Sequence, residues 1–348
     1  MELIKLHNDD NDGFCGYAES RIGGREENQD SFSFSTTDLG FLVTVCDGMG
    51  GGPGGKTASA IAATEIINGV KNGARQKDKT PAEVVKEAVE KANAAIIQTT
   101  IEKPQLKGMG STATVLLLNE EKAVVAHVGD SRVYQLRRKE KVFRTFDHSV
   151  VFDMVRQHII TEEQARLSAQ SNIITRALGV ADNVEVDVSE LTYEAGDLFL
   201  LCTDGIHGTM PEKELIKLAT SKKGALGPIV DNIATTVDDI GRKEGGRHDN
   251  LTIAVIQTKK DSKQKPEMPK RARQLLTTLS IVCAVSIALN IAQLAGKKAN
   301  GNPKGETETV KTEEKAKIKL YLDSIDNLNK VIRQKDSLLK QNKVTKKQ

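Results

Sequence analysis

The chain has 348 residues, 28% charged and 38% apolar, enough for a sizeable core in one or two domains. Its net charge of +3 hides a segregated layout: residues 1–258 carry 29 basic and 38 acidic side chains, 259–273 carry 7 and 2, 274–296 none, and 297–348 carry 14 and 7. An acidic head argues against a nucleic-acid binder, and four scattered cysteines without a CxxC argue against a disulfide framework or a zinc site.

In chain order, residues 1–13 show no apolar core of a secretory signal, so the head is expected to stay in the cytosol. Runs rich in Val, Leu, Ile and Phe, bounded by Gly, Asp and Asn, predict strands at 32–35 and 41–46. Helices follow at 55–72 and 81–101. In the second, Val84, Val85, Ala88, Ala92, Ala95 and Ile96 keep a near-3.6 spacing, and Pro81 suits a first turn. Further strands are predicted at 111–118, 123–128, 132–136 and 142–146. Segment 150–171 holds a helix start, with Thr161 as cap and Glu162 and Glu163 in the first turn. The last strands are placed at 184–191, 198–202 and 251–257. Many strands joined by short turns, with helices segregated, predict an α+β head over residues 1–258. Cys46 and Cys202 lie in apolar runs and read as core thiols.

Residues 259–274 read as a basic linker. The 22 residues 275–296 carry no charge and are long enough for a membrane-spanning helix. Two Thr, two Ser, Asn290 and Gln293 dilute the segment, so an amphipathic helix is the alternative. Lys270, Arg271 and Arg273 flank it on the head side against Lys297 and Lys298 beyond it, which favours a cytosolic head on a single-pass cell-membrane protein. In the basic tail, 297–348, Ile318, Ile325, Ile332 and Leu339 keep a seven-residue repeat. That is a weak coiled coil for self-association, or a lone helix.

Five aspartates sit beside Gly or at strand ends: Asp30 in REENQDS, Asp47 in VCDGMGG, Asp130 in HVGDSR, Asp204 in LCTDGIHG and Asp249 in RHDNLT. Strand ends let side chains from distant segments converge, and hard divalent cations take carboxylates and carbonyls. Asp-Gly is also an ordinary turn signal. Spacing alone leaves both a metal site and a set of turn aspartates open.

Together and in order, REENQD (25–30), VCDGMGG (45–51), GST (110–112), HVGDSR (127–132), DHS (147–149), ITRALG (174–179), TDG (203–205) and DNLT (249–252) resemble the type-2C, metal-dependent serine/threonine phosphatases, in their bacterial form, over about residues 13–258. The resemblance implies an αββα sandwich of two antiparallel sheets flanked by helices. It implies two or three Mg²⁺ or Mn²⁺ ions, with Asp47 bridging two of them, the Gly48 carbonyl on the second, Asp204 and Asp249 on the first, and Asp130 with Asp204 on a third. Arg25 would grip the substrate phosphate, Asp30 would stand behind the ligands, and 150–171 would occupy the place of the flap, an ordinary helical hairpin being the alternative. Two ions about 4 Å apart acidify water and clamp a phosphoryl group for in-line attack. Phosphorylated proteins are the implied partners, with a serine/threonine kinase and its targets among them. Two positions depart from many eukaryotic members. Gln29 stands where they have Glu, and Met49, which has no proton to donate, where they have a His. A phosphopeptide-binding module without activity would be signalled by a lost metal aspartate, and Asp47, Asp204 and Asp249 are all present; the full motif set in the head argues against a membrane adaptor with a vestigial head.

Overall fold

The run from Phe41 to Cys46 is buried along its whole length, so it needs a covering layer on each face. Side chains alternate across a strand. Leu42 and Cys46 pack with Ala62, Ile66 and Val85, whereas Phe41, Val43 and Val45 pack with Leu116, Phe199 and Ile256. One face of this strand meets helices and the other meets a second sheet.

The structure is a computed structural model that describes residues 3–7, 13–50, 53–76, 78–221 and 225–263. Strands β1 (Ile4–His7), β2 (Phe14–Arg21), β3 (Asp30–Thr37) and β4 (Gly40–Met49) precede helices α1 (Pro53–Gly73) and α2 (Pro81–Glu102). Strands β5 (Gly110–Ser111), β6 (Ala113–Leu118), β7 (Ala123–Val128), β8 (Arg132–Arg137) and β9 (Glu140–Arg144) follow. Short helices α3 (Val150–Arg156) and α4 (Glu162–Arg166) lead to β10 (Asp187–Leu191) and β11 (Leu198–Cys202). Helices α5 (Asp204–His207), α6 (Glu212–Ala219) and α7 (Leu226–Lys243) come before the last strand, β12 (Leu251–Thr258).

The strands form two antiparallel sheets, ordered β1-β2-β12-β11-β8-β9 and β10-β7-β6-β4-β3, with β5 paired to β4. One apolar cluster lies between the second sheet and α1 and α2. Another fills the space between the sheets. A third joins Tyr134, Leu200 and Val255 of the first sheet to Leu215, Val230 and Ile233 of α6 and α7. The layers are therefore helix, sheet, sheet, helix, as the αββα expectation required.

The predicted helices match α1 and α2 closely. Thr80 and Glu83 close a capping box at the start of α2, with Pro81 in its first turn. Thr161 caps α4 as expected, paired with Gln164. The expected strand 111–118 divides into β5 and β6 because Thr112 turns to Asp47: its N–H donates to the Asp47 carbonyl at 2.8 Å. Strands β1 and β2 and helices α6 and α7 stand where no element was expected. In α7, Ile229, Val230, Ile233, Ala234 and Val237 are buried at helical spacing. Gly227, Pro228 and the β-branched content conceal that pattern in the sequence.

The first compact unit ends at Pro266, inside the expected linker. The expected membrane helix 275–296 and the coiled-coil tail lie outside the described residues. No helix among the described residues is long and apolar enough to cross a membrane.

Candidate active site

All five aspartates come to one end of the sandwich. Asp30 opens β3 and pairs across the ladder with Asp47 near the end of β4. Asp130 lies in the turn from β7 to β8, Asp204 opens α5 directly after β11, and Asp249 precedes β12. Antiparallel pairing puts these strand ends together: Cys202 faces both Arg132 and Ile253.

Asp47, Asp130, Asp204 and Asp249 line one open cleft of about 790 Å³, with Arg25, Gly48, Met49 and Asn172. Asp30 does not line it. Its Oδ2 accepts hydrogen bonds from Thr203 at 2.9 Å and Thr252 at 2.7 Å, while its Oδ1 is buried without a partner among the described residues. Asp204 likewise has a buried Oδ1 without a partner among the described residues. A buried carboxylate oxygen with no donor is costly unless a proton or a cation meets it.

The electrostatics are those of crowded acids. Burial, then the charges of Asp204, Asp30, Asp130 and Asp249, hold the Asp47 carboxyl well above the usual range. Burial and then Asp204 and Asp147 do the same to Asp130. Burial pushes Asp30 up to about 7 against the pull of its two threonine donors. Burial and Asp249 push Asp204 up to about 6. Like charges without a counter-ion cannot all ionise cheaply.

The backbone around Asp47 is fixed from several sides. The Asp47 N–H donates to Thr112 Oγ1 at 2.9 Å, and Ser111 Oγ donates to the Asp47 carbonyl at 3.0 Å. Thr112 Oγ1 also meets Ser131 Oγ at 2.7 Å, which ties the GST motif to GDSR. A Cβ on Gly48 would stand 2.0 Å from the Gly55 carbonyl oxygen, so only glycine fits there.

Asn250 organises the loop that carries Arg25, a role the sequence reading missed. Its Nδ2 donates to the carbonyls of Ile22 and Glu27 at 2.7 and 2.9 Å, and its Oδ1 accepts from the Gln29 N–H at 2.8 Å. Its adjacency to Asp249 in the DNLT motif was the available signal. The Arg25 guanidinium donates to Asp249 Oδ2 at 2.7 Å, with its side chain half exposed to the cleft. His207 is buried, its Nε2 lies 3.1 Å from the Asp130 carbonyl, and burial keeps it neutral.

Segment 150–171 leaves the cleft wall as α3 and α4, and the chain returns through Asn172 and Ile174. Phe152 anchors it, with the Arg132 and Arg144 guanidinium carbons 4.8 and 5.5 Å from the ring centroid. Arg132 is itself held bidentate by Asp147 at 2.7 Å on both arms.

Among the described residues, one trio of potential ligand atoms lies within 4.8 Å of one another: His127, His148 and Asp187. Its polar atoms already have partners. The Gly129 N–H donates to His148 Nδ1 at 3.1 Å, His148 Nε2 faces Asp187 at 3.3 Å, and His127 Nε2 meets the Phe146 carbonyl at 3.0 Å. Arg176 sits on Asp187 at 2.9 Å, where its charge repels a cation. The cluster is structural. The aspartates converge on the cleft without closing into such a trio, as mutually repelling groups do. An all-oxygen donor set, two orphaned carboxylate oxygens and a glycine-only backbone approach fit hard divalent cations.

The sequence profile of the protein phosphatase 2C family matches residues 18–245. The chain belongs to that family. The serine/threonine phosphatase stp of Listeria monocytogenes is 30% identical over 255 residues, covering 73% of this chain and 91% of the relative. The crystal structure of serine/threonine phosphatase Stp1 from Staphylococcus aureus superposes with a TM-score of 0.61 at 26% identity, covering 70% of this chain and 94% of that one. A structure of the PstP catalytic domain in complex with 2 manganese ions gives a TM-score of 0.57 at 27% identity, covering 71% and 98%. This phosphatase shares their α+β architecture of two antiparallel sheets with flanking helices, and it is a hydrolase of the protein phosphatase class.

Proposed function

We propose that the chain hydrolyses phosphoserine and phosphothreonine in proteins, with two or three Mg²⁺ or Mn²⁺ ions, at the cytosolic face of a membrane. The observation that carries the chemistry is the buried Oδ1 of Asp204, which has no partner among the described residues, within a cleft of four aspartates. In this reading Asp47, the Gly48 carbonyl, Asp130, Asp204 and Asp249 would hold the cations. Bound there, the ions supply Lewis acidity: they neutralise developing negative charge and lower the pKa of water.

The chain's own groups do the rest. The Arg25 fork binds and orients two phosphate oxygens. Asp30, held by Thr203 and Thr252, backs the site and keeps Asp204 in place across the sheets. Asn250 fixes the Arg25 loop to the strand that follows Asp249. Met49 lines the cleft but can neither give nor take a proton. The test is hydrolysis of a phosphothreonine peptide by the full chain in Mn²⁺ and then in EDTA. Turnover in Mn²⁺ that EDTA stops is the expected result; turnover in EDTA would overturn the metal assignment.

Arg25→Ala is expected to raise KM for a phosphopeptide more than it lowers kcat, and to act in the same direction on p-nitrophenyl phosphate. Arg25 meets the ground-state phosphate, so its loss appears first in binding. An unchanged KM would make Arg25 a structural partner of Asp249 only.

The domain reading is a catalytic head over 1–258, a basic linker over 259–274, a membrane helix over 275–296 and a basic tail over 297–348 for self-association. It rests on the charge-free segment and its heavier basic flank on the head side. The full chain is expected to stay in the membrane pellet in alkaline carbonate, since release would expose the whole apolar segment to water. External protease on spheroplasts should remove the tail and spare the head. Carbonate release, or a protected tail, would show a helix lying on the membrane or none bound to it. A serine/threonine kinase and its targets would be the natural source of substrates.

A further inference from the structure

A second arginine lines a cavity that adjoins the aspartate cleft and shares Arg25, Asp130, Asp204 and Asp249 with it. Arg247 lies two residues before Asp249 and lines the same wall as Arg25, Asp204 and Asp249. Two segments far apart in sequence are locked together behind it. The Gly24 N–H donates to the His248 carbonyl at 3.0 Å. A Cβ on Gly24 would stand 2.1 Å from the Gly246 oxygen and 2.9 Å from the Arg247 Cα, so the two backbones are in direct contact. The junction is braced from beneath. His248 Nε2 meets Asp238 Oδ1 at 2.8 Å, and Asp238 Oδ2 accepts from Arg242 at 2.6 Å. Arg25 and Arg247 thus project from one rigid junction, and the separation of their Cα atoms is set by the fold.

The charges along this wall divide into paired and unpaired. Arg25 bonds Asp249, Arg166 bonds Glu163 at 2.7 Å, and Arg132 bonds Asp147. Glu162 and Glu212 both hold Arg144, at 2.6 and 2.9 Å. Glu26 carries the opposite charge but lines the Met49 side of the cleft, not this wall. Arg247 has no hydrogen-bond or ion-pair partner among the described residues. A guanidinium left unneutralised beside the arginine that grips phosphate, outside the aspartate cluster itself, suits an anion one or two residues from the one being hydrolysed.

We propose that Arg247 forms a second anion subsite, which takes a carboxylate or a second phosphoryl group next to the scissile phosphoresidue and so favours acidic or doubly phosphorylated stretches of substrate. The inference rests on the phosphatase reading above and names a substrate class for it. Arg25 serves every phosphoresidue alike; Arg247 discriminates between them by their neighbours. Exposure screens the contact, so the preference is modest and weakens with salt.

The test is steady-state kinetics of the full chain in Mn²⁺ on phosphothreonine peptides that differ at one flanking position. That position carries Gln, Glu or phosphoserine, and it is moved in turn to either side. The wild-type kcat/KM is expected to favour the best Glu or doubly phosphorylated peptide over its Gln counterpart by about threefold to tenfold, the size of a charge-assisted contact in partial solvent. Arg247→Gln should bring that ratio close to one, through KM, and Arg247→Lys should keep part of it. Arg25→Ala should weaken all the peptides together. Glu and phosphoserine arms that differ will show which anion the subsite takes. A wild-type ratio of one at every position, or a preference that survives Arg247→Gln, would overturn the subsite while leaving the phosphatase reading intact. No turnover of any peptide by the wild type would sink that reading and the subsite with it.

Discussion

Asp204→Asn is expected to lower kcat/KM on a phosphothreonine peptide by at least about 10³-fold, the scale of losing a metal ligand from a charge-stabilising site. Asp204 is the aspartate whose removal should matter most. It lies between the other carboxylates, contributing to the raised pKa of Asp47, Asp130 and Asp30. It also opens α5 directly after a fully buried strand, so its side chain is delivered to the cleft by the core rather than by a loop. Asparagine keeps the shape and removes the charge. Cation affinity should therefore fall, while the fold should survive and the metal-free variant should melt higher than the metal-free wild type. Near-normal turnover of Asp204→Asn at saturating Mn²⁺ would remove Asp204 from the metal site. A cooperative melt above that of the wild type in EDTA would separate lost chemistry from lost folding.

The second large effect is on stability. In EDTA the protein is expected to become less stable as pH rises from about 4 to about 7. Burial and carboxylate neighbours raise Asp204 to about 6 and Asp30 to about 7, and they raise Asp47 and Asp130 as well. Unfolded aspartates titrate near ~3.9. Between those values the folded chain holds protons that the unfolded chain has released, so stability falls with pH. The contribution is complete below the unfolded pKa and is lost as pH passes the folded one. Every tenfold difference in proton affinity between folded and unfolded chain is worth about 1.4 kcal/mol, so the loss should be on the order of several kcal/mol over the window. At the acid end the opposite group acts. Asp187, Asp197 and Glu212 are held below their ordinary values by side-chain partners that outweigh burial, and their contribution fades as pH falls towards those depressed values. Mn²⁺ should reverse the slope above pH 6, because the cation binds the carboxylates that protons vacate. Melting temperatures in EDTA and in Mn²⁺ at pH 5 and 7.5 decide it. A flat or rising profile in EDTA would mean that the cluster is already neutralised by its own side chains.

What the sequence disclosed follows from where the physics is local. β4, β6, β7 and β11 are buried on both faces, so they read as unbroken apolar runs. The five aspartates were legible because each sits where an apolar run meets a turn. β2 was not legible, since Glu19 and Arg21 are buried in it. Their burial is tolerable only because Arg21 bonds Glu19 at 2.6 Å and Asp231 and Thr235 of α7 at 2.9 Å. Partners 210 and 214 positions away leave no local trace. The same holds within the site. Thr203 and Thr252 reach Asp30 across 173 and 222 positions, and Asn250 reaches the Arg25 loop across more than 220. Such contacts are products of the fold, and only the aspartates they support carry a signature of their own.

The strand order has a consequence for synthesis. β12 lies between β2 and β11, and its eight residues pair with all eight of β2, from Leu251 opposite Arg21 to Thr258 opposite Phe14. The earliest part of the head therefore waits on the ribosome for the latest. Until residue 258 emerges, β2 and β11 have a gap between them, and the loop bearing Arg25 lacks Asn250 and Asp249. Such end-to-end pairing is slow to form and leaves strand edges open meanwhile. A nascent chain that carries Asp47, Asp130 and Asp204 but lacks β12 is thus expected to be inactive on phosphopeptides. Activity is therefore expected only once the final strand, β12, has taken its place between β2 and β11.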